Sequence, residues 1–208
     1  KKMSEFRIQT FVLGEVSTNC YLIYHQGTRE AVVVDPADNG AYILNKCREM
    51  EVKPTAILLT HGHFDHIGAV DYLYEYFHCP IYIHQDDLFL LQDVKANLSV
   101  YEKPFVVKAP VTVSEEKMQI NNFEIVWLHM PGHCPGSSMI YLPKENIIFS
   151  GDVLFKGSIG RFDFPNSSKH DTNISLGKIK EFDFDAIVYP GHGASTTLQY
   201  ELLNNPYL

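Results

Sequence analysis

The chain has 208 residues, 45% of them hydrophobic, and a formal net charge of -8 from 17 lysines and arginines against 25 aspartates and glutamates. That length supports a buried core in a single domain over residues 1–208, and an acidic balance without a long basic run argues against an extended nucleic-acid-binding face. Cys20, Cys47, Cys79 and Cys134 form no C-x-x-C pair and suggest no disulfide framework, so free thiols in a reducing compartment are expected.

The start, "KKMSEFRIQ", carries lysines but no apolar stretch behind them, and no apolar run approaches the length of a membrane span. A cytoplasmic protein with no membrane partner is expected. "CYLIYH" (20–25) and "AVVVDP" (31–36) read as strands either side of a turn-like "QGTRE". "NGAYILNKCREME" (39–51) reads as a helix and "AILLT" (56–60) as a strand. Ile67, Val70, Leu73, Tyr74 and Phe77 then recur at helical spacing and predict one helix over 66–77. After a strand at "PIYIH" (80–84), the spacing of Leu88, Leu91, Val94 and Leu98 predicts a second amphipathic helix. Residues 104–130 predict β structure in "FVVKAPVTV" and "FEIVWLHM". "SMIYLP" and "NIIFSGD" follow as strands, then a helix near 171–181, the strand "AIVYPGH" and a short final helix.

Four of these strands run into metal-competent side chains. "AILLT" leads to His61, "FEIVWLHMPG" to His133, "IIFSG" to Asp152 and "IVYPG" to His192. Loops beyond the C-terminal ends of strands are where α/β sheets gather ligands, so residues about 130 positions apart can converge there. Within "HGHFDH", His61 and His63 are two apart and point the same way in extended backbone. Asp65 and His66 are adjacent and must diverge, which favours service to a different ion. Imidazoles with carboxylates suit zinc or another borderline metal rather than calcium or magnesium.

On these residues the chain resembles the metallo-β-lactamase-fold hydrolases, near their short glyoxalase II-like branch. The matching elements are Asp35 in "VVVDPAD", "THGHFDH", "PGHCPGS", "FSGDVLF" and "YPGHG", with "GDVLFKGSIGRFDFP" and the ending "NNPYL" pointing to the branch. The resemblance implies a four-layer αβ/βα sandwich with a metal site at one edge between two sheets. It implies two divalent cations, zinc by preference, with iron or manganese as alternatives. His61, His63 and His133 would hold the first ion; Asp65, His66 and His192 the second; Asp152 would bridge them. Asp65 and Asp152 are then the carboxylates of the catalytic centre. Asp35 would orient a ligating histidine or simply be a turn aspartate before Pro36.

The implied chemistry is attack by a metal-bound hydroxide on a small thioester of the S-acylglutathione type. Arg161 would bind a substrate carboxylate, its alternative being a pairing with Asp163. Cys134 stands where relatives most often carry a hydroxyl and is expected to sit beside the ligands without a catalytic role. With 16 residues after His192 (208 − 192), the helical domain with which long glyoxalase II enzymes grip glutathione is not expected. His84 and His129 end strands as outer neighbours of the site, whereas His25, His78 and His170 carry no motif. The alternative function is a persulfide dioxygenase with one iron; a non-catalytic, metal-stabilised binding protein stands further back.

Overall fold

The structure, a computed structural model, describes residues 6–208. In chain order the elements are β1 (Phe6–Leu13), β2 (Thr18–His25), β3 (Glu30–Val34), α1 (Gly40–Met50), β4 (Lys53–Leu58), α2 (Phe64–Ile67), α3 (Val70–Phe77) and β5 (Ile81–Ile83). Then come β6 (Thr112–Val113), β7 (Lys117–Ile120), β8 (Phe123–His129), β9 (Ser138–Leu142), β10 (Ile147–Gly151), β11 (Leu154–Phe155) and β12 (Ser158–Ile159). The chain closes with α4 (Lys169–Lys180), β13 (Ile187–Pro190), β14 (Thr196–Thr197) and α5 (Leu198–Asn204).

Two six-stranded sheets form, in the orders β1-β2-β3-β4-β5-β6 and β14-β13-β10-β9-β8-β7, with β11 and β12 as a separate ribbon. The inner strands β2, β3, β9 and β10 are buried on both faces, because the middle of each sheet is covered on both sides. In β2, Cys20, Leu22 and Tyr24 turn toward α1 and α3, while Tyr21 and Ile23 turn toward the second sheet. β3 alternates likewise, Ala31 and Val33 against Val32 and Val34. On the second sheet Ile147 and Phe149 of β10 face inward, and Ile148 joins Leu176 and Ile179 of α4. The result is a helix–sheet–sheet–helix sandwich of four layers, as the resemblance implies.

The topology also explains the edge. β10 and β13 are parallel, and β8 reaches β10 through two successive antiparallel pairings, so β8, β10 and β13 all end on one side. Ser138 N donating to Thr60 O at 3.0 Å, and Asn19 N to Gly191 O at 2.7 Å, stitch the sheets together there.

Three local expectations need correction. The helix over 66–77 is broken into α2 and α3, because the N–H groups of Gly68 and Ala69 turn aside to Ala37 O and Pro36 O. A Cβ at Gly68 would collide with that Ala37 carbonyl. The predicted helix after residue 84 is a 3-10 segment, Gln85–Gln92, ended where the Asp93 carboxylate captures the N–H groups of Lys95 and Ala96. In "FVVKAPVTV" only Thr112–Val113 pairs as strand; the amides of Lys108 and Ala109 bond to Asp71, and that of Val107 to Leu91 O. Strand β1, an edge strand that is largely exposed, lies outside the strands expected from the sequence.

Phe123, fully buried at the start of β8, the end opposite the one that leads to His133, and stacked on His25 with centroids 4.2 Å apart, gauges the inter-sheet core. Phe123→Ala removes its contacts and leaves a cavity, an expected loss of about 3–5 kcal/mol. Urea unfolding reads it as a lower midpoint at unchanged slope; a loss below about 1 kcal/mol contradicts the packing described.

Candidate metal centre

All seven residues proposed as ligands converge at the common edge. Two groups form, each with one donor atom per residue within 4.8 Å of the others: His61, His63, His133 and Cys134, and Asp65, His66, Asp152 and His192. Asp152 lies between them. Its Oδ2 is 3.8 Å from His61 Nε2, 3.3 Å from His133 Nε2 and 3.4 Å from His192 Nε2, while Oδ1 is 3.2 Å from His66 Nε2. Asp65 Oδ2 is 3.3 Å from His66 Nε2 and 3.2 Å from His192 Nε2, and accepts from Thr18 Oγ1 at 3.0 Å.

The outward-facing nitrogens have partners that orient them. Asp35 Oδ2 lies 2.8 Å from His66 Nδ1 and accepts its proton, and the carboxylate is fixed by Thr60 N at 2.8 Å and Thr60 Oγ1 at 2.7 Å. His133 Nδ1 donates to the Arg161 carbonyl at 2.7 Å. These are the bonds that hold a ligating imidazole in one tautomer, with Nε2 left free for a cation. The structure therefore gives Asp35 a histidine contact, and not only a turn. Its left-handed φ of 52° is held in part by Asp35 N donating to Leu58 O at 3.0 Å.

A fit test comes from atoms that lack partners. His61 Nε2, His66 Nε2 and Asp152 Oδ1 are buried without a hydrogen bond, although His66 Nε2 and Asp152 Oδ1 sit close to one another. Buried polar atoms are costly when unpaired, and three at one point with nitrogen and oxygen donors fit divalent cations.

Burial drives the pKa of His61 well below the usual imidazole value and that of His63 down to about 3, with neighbouring imidazoles adding to the fall. Burial opposes the cation at His66 and His192 as well, but carboxylates outweigh it. Asp152, Asp65 and Asp35 raise His66 well above its ordinary value, and hydrogen bonds to Asp152 and Asp65 raise His192 to about 10. Burial would raise Asp65 and Asp152 in turn, yet contact with His66 holds both well below the usual carboxylate range. Burial thus favours the neutral form of His61 and His63, whereas the carboxylates favour the charged form of His66 and His192.

Cys134 is fully buried, and burial pushes its thiol well above its ordinary pKa. Its Sγ lies 3.1 and 3.6 Å from the two ring nitrogens of His63, so it rests against the ring rather than in line with either N–H. Arg161 makes the pairing with Asp163, at 2.8 and 3.0 Å, and its guanidinium lies 4.4 Å over Phe164, while it also lines the cleft. His84 and His129 stack on each other at 3.8 Å, and His129 Nε2 is 2.8 Å from Pro135 O. An ion in the plane of one of those parallel rings lies outside the plane of the other, so the pair is a stack.

The cleft over the donors holds about 290 Å³ between Val16, Leu98, Phe155, Phe164 and Arg161. Past Val16, Phe64 and Asp65 it adjoins a groove of about 770 Å³ whose far wall includes Glu102, Lys103 and Phe105. The ribbon β11–β12, which carries Phe155, is held from behind. Glu201 accepts from Gly157 N at 2.7 Å, and Asn205 Nδ2 donates to Ser158 O at 3.0 Å. Sequence reasoning missed Thr18, Thr60 and Asp87. Thr60 precedes "HGH" directly, a signal within reach; Thr18 and Asp87 carry none.

Residues 13–192 match the metallo-beta-lactamase superfamily. In three dimensions the chain is similar to BLEG-1 B3 metallo-beta-lactamase, with a TM-score of 0.90 and 36% identity over 97% of this chain and 99% of that one. It is also similar to TTHA1623 in a di-iron-bound form, with a TM-score of 0.85 and 37% identity over 96% of this chain and 100% of that one. Among curated relatives, hydroxyacylglutathione hydrolase GloC of Haemophilus influenzae is 32% identical over 91% of this chain and 92% of its own.

Proposed function

Because the chain belongs to the metallo-beta-lactamase superfamily, we propose that it is a binuclear metal-dependent hydrolase of small thioesters. The observation that carries the reading is Asp152, whose two oxygens face the two donor groups. His61, His63 and His133 would hold one ion, Asp65, His66 and His192 the other, and Asp152 both. The donor set suits zinc, and TTHA1623 with its two irons supports iron as the alternative. When bound, such a pair supplies Lewis acidity and a hydroxide nucleophile at neutral pH.

The chain's own residues do the rest. Asp35 and the Arg161 carbonyl keep protons on Nδ1 of His66 and His133, directing both Nε2 atoms inward. Phe155, Phe164 and Val16 give the cleft apolar walls that strip water from a bound acyl group, and the adjoining groove accommodates the thiol arm. Arg161, exposed at the rim, can exchange Asp163 for a substrate carboxylate. Cys134 is buried against His63 and is no rival nucleophile. GloC, a hydroxyacylglutathione hydrolase by name, supports thioesters as the substrate class.

The test pairs metal analysis with a substrate panel: S-lactoylglutathione, an S-acyl-N-acetylcysteamine, a β-lactam, and glutathione persulfide in an oxygen electrode. About two metal ions per chain and thioester hydrolysis are expected. One iron with oxygen uptake on the persulfide, preferential opening of the β-lactam, or metal-saturated protein inert to the whole panel overturns the reading.

A further inference from the structure

Asp87 is fully buried in the 3-10 segment, yet it pairs with no cationic side chain within 4 Å among the described residues. Its carboxylate instead accepts two backbone N–H groups from separate turns: Gly62 N to Oδ2 at 2.8 Å and Gly136 N to Oδ1 at 2.6 Å. Gly62 lies between His61 and His63 beyond β4 of the first sheet. Gly136 lies in the turn that begins at His133 beyond β8 of the second. One side chain therefore ties together the two turns that present the three-histidine group.

We propose that Asp87 is a positioning residue for the metal centre, setting the spacing of His61 and His63 relative to His133 across the two sheets. The inference rests on the metal-site part of the reading above and not on the thioester part.

The chemistry calls for a carboxylate at this place. Two converging N–H donors need two acceptor atoms on one short side chain. Asparagine offers a single oxygen and would set its NH₂ against the other donor; an apolar residue would strand both donors in the interior. The surroundings are fitted to it as well. A Cβ at Gly136 would come within 2.7 Å of Asp87 Cβ, and one at Gly62 within 2.7 Å of Leu90 Cβ. In a 3-10 turn, residues three apart lie on one side, so Asp87 and Leu90 face the ligand turns together. An α-helix over the same residues would offset them by about 60° around the axis. Beyond Asp87, the described hydrogen bond from Ser138 N to Thr60 O at 3.0 Å also links these regions, but it lies outside both turns. The spacing at stake is tight, with His63 Nδ1 and His133 Nε2 3.0 Å apart.

The experiment titrates chelator-stripped, full-length protein with Co²⁺ against a competing metallochromic indicator, and records the visible ligand-field bands of the loaded protein. Asp87→Asn is expected to weaken Co²⁺ binding about 10–100-fold, the range for groups that orient ligands, and to shift or weaken the bands. Phe123→Ala, which loses stability far from the site, is expected to bind Co²⁺ as the parent does, separating positioning from lost stability. If Asp87→Asn does not fold, Gly136→Ala pushes the same turn off the carboxylate and takes its place, with the same expected loss. Parent-like affinity and bands in the folded variant overturn the proposal, as does an equal loss in Phe123→Ala. A protein that binds Co²⁺ but hydrolyses no thioester leaves this result standing and sinks only the substrate reading.

Discussion

Asp152→Ala should lower both metal content and turnover, with hydrolysis falling about a thousandfold or more, which corresponds to about 4 kcal/mol. The size follows from where the carboxylate sits. Oδ2 stands within 3.8 Å of three imidazole nitrogens and Oδ1 3.2 Å from a fourth. Without it, four imidazoles and Asp65 face a hole, and the two cation positions lose both a shared ligand and its negative charge. Bringing two dications close together without that charge is strongly unfavourable, so the variant should retain about one ion or fewer per chain. Asp152→Asn keeps the volume and one acceptor oxygen and should fall between the alanine variant and the parent. Elemental analysis of the purified variants alongside thioester turnover decides it. Two ions at an unchanged rate would show that Asp152 is not the common ligand.

Removing the metal should destabilise the whole molecule as well as silence it. His61 Nε2, His66 Nε2 and Asp152 Oδ1 are buried without a hydrogen-bond partner, so bound cations would be the groups that satisfy them. Ligand present at about a thousand times its dissociation constant stabilises a fold by about 4 kcal/mol. For a domain of this size each kcal/mol moves Tm by about 2–4 °C, so chelation should lower Tm by about 8–16 °C. Readdition of zinc or iron to about two equivalents should restore it. A Tm indifferent to chelator, in protein shown by elemental analysis to be stripped, would mean that the histidine cluster is stable by itself. That outcome would remove the physical basis for a resident metal.

The parts of this molecule that were legible in the sequence are those written in local patterns. Apolar runs closed by histidine or aspartate gave the strand ends, and the sheet pairings bring β8, β10 and β13 to the same edge as β4. The 3-10 segment was not legible, because leucines three and four apart fit an α-helix as well as a tighter winding. The Asp93 carboxylate, a side-chain competitor for backbone donors, decided between them. The break at Gly68 depended on carbonyls from the loop at 36 and 37, a contact from outside the helix. Arg161 showed its charge in the sequence, but the group that touches a histidine is its carbonyl, which any residue possesses. Asp87 had no motif because its partners are two backbone amides, 25 and 49 positions away.

The latch behind the β11–β12 ribbon has a consequence for the order in which the protein is made. Synthesis runs from the N-terminus, so every proposed ligand from His61 to His192 leaves the ribosome before Glu201 and Asn205 do. Until those two residues emerge, the backbone groups of Gly157 and Ser158 lack their anchors, and the Phe155 wall beside His192 is unsupported. The wall that Phe155 gives to the cleft is thus anchored only once α5 is in place, although the seven proposed ligands all precede that helix in the chain.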